Sequence, residues 1–173
     1  MGGRGSAPGR TLALSPAHAR ALPPSCPTIP SPASNPWVSL FEDQLNFVEH
    51  KFERTVTFRN KAPRPGEPSA YAGLSRTGAS GEDYAAIALL PLKNGKGNVI
   101  ILQGLQQEGT EAAGRILTTE EGRLLLRRTL GLPSAGPVRS VYFEVLIRSR
   151  AVGGSTADTE IASTRRLDRQ PSR

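Results

Sequence analysis

Cysteine, histidine and tryptophan are the residues that this sequence has least of. It contains one cysteine, two histidines and one tryptophan among 173 residues. Cys26 alone cannot form a disulfide framework or a thiolate metal site within the chain. His50, the one histidine after residue 35, lies among Glu49, Lys51 and Glu53, a pattern typical of an exposed strand residue rather than a metal ligand. We therefore expect no metal and no other cofactor.

Long hydrophobic runs are also missing, and acidic residues are missing from the first 35 positions, which hold seven of the 15 prolines. Such a segment cannot bury enough apolar surface to offset the entropy of ordering it, so we predict a disordered leader over residues 1–34. The run TLALSP resembles the start of a signal peptide, but Pro16 ends it early. The sequence therefore predicts no membrane segment and a cytoplasmic location. A misread start or a shifted reading frame is an alternative origin for the leader.

The net charge of +7 is concentrated at the two ends of the chain. Residues 1–35 carry a net charge of +3 and residues 164–173 another +3, which leaves the body between them nearly neutral. A dedicated nucleic-acid surface needs lysine and arginine clustered on one face, so none is expected. Weak nucleic-acid binding through the basic ends is one alternative function. We predict a domain at residues 35–163, followed by a basic flexible tail at residues 164–173.

Regular structure is predicted from residue 35 onwards. Asn35 is a candidate helix cap, and the spacing of Trp37 and Phe41 predicts a helix of about ten residues that turns both aromatic rings towards the core. A core anchor is the favoured interpretation of Trp37, and a stacking platform is the alternative. Imperfect alternation near residues 47–52 and in RTVTFRN predicts a hairpin of two strands.

Two almost continuous apolar stretches, DYAAIALLPL and NVIILQG, predict strands that are covered on both faces. The polar turn KNGKG between them indicates an antiparallel hairpin. Further along, Val138, Val141, Phe143, Val145 and Ile147 predict the buried side of a long strand, and STADTEIASTRRL predicts a final, more exposed strand.

Two helices are predicted between these strands. Thr110 is the candidate cap of the first, and Thr118 or Thr119 the candidate cap of the second. The second has acidic residues in its first turn and arginines in its last, which complements the helix dipole, and Gly131 is expected to end it. The order of elements predicts a single α/β or α+β domain with helices packed on a mixed β-sheet.

Candidate ligand-binding residues lie where NVIILQG meets the following helix. Gly104, Gly109 and Thr110 place free backbone N–H groups and the positive end of a helix dipole there, which favours an anion. Glu108 and Glu111 flank the same turn, where they would repel a phosphate and cap the helix themselves. These five residues form the candidate site, and a structural role for the turn is the preferred interpretation.

Catalytic motifs are missing. There is no Walker-type loop, no GxSxG and no HExxH, and after residue 35 there is no cysteine. The acids Glu108 and Glu111 leave a hydrolase- or transferase-type enzyme as an alternative function. The sequence favours a protein without enzymatic activity.

Four stretches carry a family resemblance: NPWVSLFEDQLNF, DYAAIALLP, GNVIILQGLQQEGTEAAGRIL and YFEVLIRSRAVGGSTADTEI. Together they resemble the C-terminal α/β domain of an uncharacterised bacterial family typical of acidobacterial proteins, over about residues 35–163. The resemblance implies a sensory or scaffold domain attached to a helix-turn-helix region or a membrane-proximal segment. Longer members have further α/β elements where this chain has its leader, so a truncated member with an exposed sheet edge is implied.

From these observations we expect a sensory or interaction domain of a bacterial regulator-type protein. Its expected partner is a small ligand or another protein. An exposed sheet edge would also favour self-association.

Overall fold

The computed structural model describes residues 36–53, 55–77, 80–94, 96–135, 141–152 and 155–167. The predicted leader at residues 1–34, the candidate cap Asn35 and the strand residue Val138 lie outside the described residues.

Three α-helices and eight strands make up the described part of the chain. Its first part contains α1 (Pro36–Ser39), one 3-10 turn (Glu42–Gln44), β1 (Phe47–Phe52), β2 (Thr55–Asn60), β3 (Ala70–Ala72) and β4 (Leu74–Thr77). Its second part contains β5 (Ser80–Pro91), β6 (Asn98–Gly104), α2 (Gln107–Thr118), α3 (Glu120–Thr129), β7 (Tyr142–Val152) and β8 (Ser155–Leu167).

The strands form two sheets. The first sheet has the order β1-β2-β3, and the main sheet has the order β4-β5-β7-β8 with β6 also paired to β5. One side of β5 pairs with β7, whereas the other side pairs with β4 at residues 80 and 82 and with β6 over residues 85–91. The prediction of one domain with helices packed on a sheet is confirmed.

Every described pairing is antiparallel, whereas the sequence predicts a mixed sheet. The reason is the position of β5. Strands β6 and β7 both run antiparallel to β5, so they are parallel to each other. Because β5 lies between them, they form no parallel ladder.

The main sheet is the middle of three layers. On one face, alternate residues such as Ile87 and Val145 pack against Ala113 and Ile116 of α2 and Leu126 of α3. On the other face, residues of β5 and β7 pack with side chains from the first sheet: Ala86, Leu146, Phe47, Phe58 and Tyr71. Burial on both faces confirms the prediction for DYAAIALLPL, whereas NVIILQG is only partly covered, since Ile100 of β6 is 60% exposed.

Local helix signals are confirmed in α3 and wrong in α2. Thr119 caps α3, because its Oγ1 accepts a hydrogen bond from the N–H of Gly122 at 3.1 Å, and Gly131 follows the helix with a φ of 64°. Helix α2 begins at Gln107, so Thr110 lies inside it and is not its cap. The hydroxyl of Thr110 instead donates to the carbonyl of Gln106 at 2.9 Å.

The predicted ten-residue helix near the start is also wrong. Helix α1 ends at Ser39 after one turn, and the chain continues as the 3-10 turn. The change of helical geometry separates the two aromatic residues, since Phe41 is 7% exposed and Trp37 is 58% exposed. Trp37 is therefore not a core anchor.

The predicted end of the domain at residue 163 is too early. Strand β8 continues to Leu167, and Arg165 within it is buried. The strands β3 and β4 are short and were not predicted from the sequence, since neither has a sustained apolar pattern.

Candidate functional site

A carboxylate of the protein itself caps the N-terminus of α2. Asp83 of β5 is buried, and its Oδ2 accepts hydrogen bonds from the N–H groups of Gly109 at 2.6 Å and Gln106 at 3.2 Å. Its Oδ1 accepts from the N–H of Tyr84 at 2.8 Å. A negative side chain at this position satisfies N–H groups that the helix leaves unpaired and interacts favourably with its dipole. The N–H groups of Gln106 and Gly109 at this turn are therefore already bound by a side chain of the protein itself.

The two glycines of the candidate site allow a close approach between α2 and the sheet. A Cβ at Gly109 would lie 2.6 Å from the carbonyl oxygen of Tyr84 and 2.7 Å from Oδ2 of Asp83. A Cβ at Gly104 would clash with the backbone nitrogen and the hydroxyl of Thr110. Any side chain at either position would force the helix away from β5 and β6.

The structure brings the five candidate residues together around the first turn of α2, but their environments differ. Glu108 is 9% exposed, whereas Thr110 and Glu111 are exposed. The sequence suggested that the N–H group of Gly109 could bind an anion. In the structure this group donates to Asp83. A ligand at this turn stays a prediction.

A second buried carboxylate lies on the opposite face of the main sheet. Glu144 of β7 is 0% exposed, and its two oxygens accept hydrogen bonds from the N–H groups of Asn46 at 2.7 Å and Phe47 at 2.8 Å. These N–H groups belong to the first residue of β1 and the residue before it. Glu144 therefore attaches the start of the first sheet to the main sheet.

Burial dominates the protonation of two acids on this side of the molecule. Desolvation raises the pKa of Glu144 to about 7, although the hydrogen bonds from Asn46 and Phe47 act in the opposite direction. Desolvation also raises the pKa of Glu49 to about 7, and Lys51 opposes this shift. Oε1 of Glu49 is buried without a hydrogen-bond partner among the described residues.

An ion pair joins β8 to the loop that follows β2. Arg165 donates to both carboxylate oxygens of Glu67 and lies over the ring of Phe47, with 5.1 Å from its guanidinium carbon to the ring centroid. Ser163 donates to the same carboxylate at 2.6 Å, and Asn60 donates to it at 3.2 Å. The pKa of Glu67 is lowered, mainly by the hydrogen bonds from Arg165. This network is closed, because each charged group in it has partners within the chain.

Sequence reasoning missed the roles of Asp83, Glu144 and Arg165. One signal was available for Glu144, because a single acid inside the apolar run YFEVLI must be paired if the strand is buried. Arg165 lies in a stretch whose composition is that of a basic tail. That composition gives no sign that Arg165 forms a buried ion pair.

Along its outer side, strand β6 presents backbone groups with which no other described strand pairs. At the two ends of the β5–β6 ladder, Leu92 N–H donates to Gly97 and Leu105 N–H donates to Tyr84. Because the bonded positions of an antiparallel ladder alternate, odd-numbered residues of β6 point their backbone groups towards β5. The N–H and C=O groups of Asn98, Ile100 and Leu102 therefore point outward, and no described strand pairs with them.

The side chains near this edge are uncharged and partly apolar. The sequence has no charged residue from Gly97 to Gln107, and Ile100 is 60% exposed. On the other face of the main sheet, Val38 of α1 packs in the cluster that contains Ile101 of β6, and its helix neighbour Trp37 is exposed. Apolar surface thus lies on both sides of the β6 edge.

The opposite edge of the main sheet has a different character. Strand β8 carries exposed charges at Asp158, Glu160 and Arg166, and its register with β7 shifts at two places. Charges and bulges are the usual means by which an edge strand avoids pairing with other chains. Strand β6 has neither, and its register with β5 is continuous.

Comparisons with models of protein families, with curated protein sequences and with solved structures find no match for this chain. None of the described helices has the length and apolar character needed to cross a membrane. Within the described ranges, no three histidine, cysteine, aspartate or glutamate side chains are grouped so that they could hold a metal ion.

Proposed function

We propose that this protein is a non-enzymatic interaction domain that binds an extended segment of a protein partner along the outer edge of β6. The observation that carries the proposal is the row of outward backbone groups at Asn98, Ile100 and Leu102. An added strand would hydrogen-bond to these groups, which is a common way for a sheet to recognise a peptide.

The buried polar groups of the described chain support a binding function over a catalytic one. Asp83 accepts from three backbone N–H groups, Glu144 accepts from two, and Arg165 is paired with Glu67. Each of these groups attaches one part of the fold to another. Chemistry at such a group would break a contact that holds the layers together.

The contrast between the two edges of the main sheet also supports the proposal. An uncharged, regular edge strand that carries an exposed isoleucine is a liability unless something covers it. The chain protects β8 with charges and register shifts, so the unprotected state of β6 is consistent with selection for binding.

The sequence resemblance to domains attached to bacterial regulators supports the same class of function. In that setting the domain would connect a regulator to another protein. A small ligand at the start of α2 has less support, because Asp83 already accepts the N–H groups of Gln106 and Gly109.

A strand-forming peptide provides the test. The probe is a synthetic peptide of alternating threonine and valine with a lysine at each end. It is added, at concentrations up to millimolar, to the full chain at low micromolar concentration. We expect hydrogen exchange in the segment that contains β6 to slow by about tenfold, with no change in α3. Ile100→Lys should abolish this protection.

A matched control is Leu124→Lys, which places the same charge on an exposed apolar residue of α3. This variant should keep the protection. The proposal fails if millimolar peptide leaves exchange in β6 unchanged, or if both lysine variants respond alike.

A further inference from the structure

We infer that the segment bound at this edge is β6 of a second copy of the chain, paired antiparallel about a two-fold axis at Ile100. This inference rests on the proposed function, because it names the partner for the same edge. It follows from the accessible length of the edge, its symmetry and the charges at its two ends.

The accessible part of the edge has its midpoint at Ile100. Gly104 is buried where the chain turns into α2, so the outward positions that another strand can reach are Asn98, Ile100 and Leu102. An antiparallel two-fold pairing centred on Ile100 joins Asn98 of each copy to Leu102 of the other. It satisfies all three outward positions in both copies.

The side chains at the centre are compatible with this pairing. Residue 100 would lie opposite its own counterpart, so two isoleucines that are each 60% exposed would cover one another. No charged residue lies between Gly97 and Gln107, so the paired strands place no like charges opposite each other.

The charges that flank β6 favour the antiparallel arrangement. Its N-terminal end carries the exposed Lys96, and also Lys93, which pairs with Asp43 at 3.4 Å within the chain, and its C-terminal end leads to the exposed Glu111. A two-fold axis places the basic end of one copy beside the acidic end of the other. The ends of β6 are therefore complementary to themselves, whereas a partner strand of uniform charge would be repelled at one end.

Light scattering during gel filtration of the full chain gives the first test. We expect a species with twice the 18.4 kDa mass of one chain at high concentration. Ile100→Lys should weaken the association by at least about tenfold, because it places two lysines opposite each other, while Leu124→Lys should leave it unchanged.

Disulfide trapping tests the register. In a chain with Cys26→Ser, Ile100→Cys should form a covalent dimer on mild oxidation, because residues opposite each other in a bonded antiparallel pair have Cα atoms about 5.5 Å apart, within the range of a disulfide. Asn98→Cys and Leu102→Cys should crosslink when mixed and not when alone. Leu124→Cys is the control for random collision.

Three results would overturn the inference: a single-chain mass at every concentration up to about 1 mM, a dimer that Ile100→Lys leaves intact, or equal trapping at residues 100 and 124. If the chain's own first 35 residues occupied the edge, the mass would stay that of a single chain. Protection of β6 by the threonine-valine peptide without a dimer would reject this inference and keep the proposed function.

Discussion

Asp83 and Glu144 are two buried carboxylates on neighbouring strands of the main sheet, and each attaches a different layer to it. Asp83 accepts three N–H groups and holds the start of α2 on one face. Glu144 accepts two N–H groups and holds the start of β1 on the other face. The donors differ, since two of those bound by Asp83 lie at the positive end of a helix and those bound by Glu144 lie at the start of a strand.

A buried carboxylate that accepts backbone N–H groups therefore behaves differently at a helix start and at a strand start. A helix start supplies several aligned N–H groups and a favourable dipole to a carboxylate. A strand start supplies fewer donors, and burial of Glu144 raises its pKa to about 7. We therefore expect the attachment of the first sheet to respond to pH near neutrality.

Removal of the helix anchor should have the largest effect. Asp83→Ala leaves three N–H groups without their acceptor, so we expect the free energy of unfolding to fall by about 4 kcal/mol. Urea unfolding measures the loss. Glu111→Ala, which removes an exposed acid from the same helix, should change stability by less than about 0.5 kcal/mol. Equal losses in the two variants would show that Asp83 is not an anchor.

A pH series should separate the second carboxylate from the first. The pKa of Glu144 is raised from 4.5 to about 7 in the folded chain, so the folded state binds its proton more tightly than the unfolded state does. The contribution of Glu144 to the free energy of unfolding is fully present below about pH 4.5 and is lost as the pH rises through about 7. We expect the free energy of unfolding to fall by about 3 kcal/mol from this group between pH 5 and 8.

The matched variants for the pH series are Glu144→Gln and Glu49→Gln. Each should remove its own share of the decline in stability, because the pKa of Glu49 is also raised to about 7. Thermal unfolding at several pH values reports the slope. A slope that neither substitution reduces would contradict the assignment.

The smallest of these effects concerns two glycines of α2. Gly109→Ala places a Cβ 2.6 Å from the carbonyl of Tyr84, so it should destabilise the fold by about 2 kcal/mol through displacement of the helix from Asp83. Gly114→Ala meets nothing within 4 Å, so it should stabilise the protein by about 0.5–1 kcal/mol through helix propensity. The comparison fails if the two variants shift the unfolding midpoint in the same direction.

The elements that the sequence predicts well have local causes. The β5–β6 hairpin follows from two apolar runs around a short polar turn, and the cap of α3 follows from Thr119 three residues before Gly122. Gly131 ends that helix because its positive φ suits a residue without a side chain. Each of these features is determined by residues close together in the chain.

The two carboxylate anchors have distant causes, which explains why the sequence did not reveal them. Asp83 lies 26 residues before Gly109, and Glu144 lies 98 residues after Asn46. Thr110 is a suitable helix cap by local rules, but Asp83 reaches the helix start from another strand. The five candidate residues therefore surround the turn that Asp83 caps, but the sequence did not indicate Asp83.

The long separation between Asn46 and Glu144 also has a consequence for how the chain folds. The first sheet precedes β7 and β8 in the sequence, so its contacts with Glu144 and Arg165 require residues that are synthesised later. Contacts between distant parts of a chain close slowly, because a long loop must be ordered before they form. The apolar side of the first sheet, with Phe47 and Phe58, is completed by Leu146 of β7 and by Arg165 over the ring of Phe47, so part of it stays uncovered in a nascent chain until these strands are made.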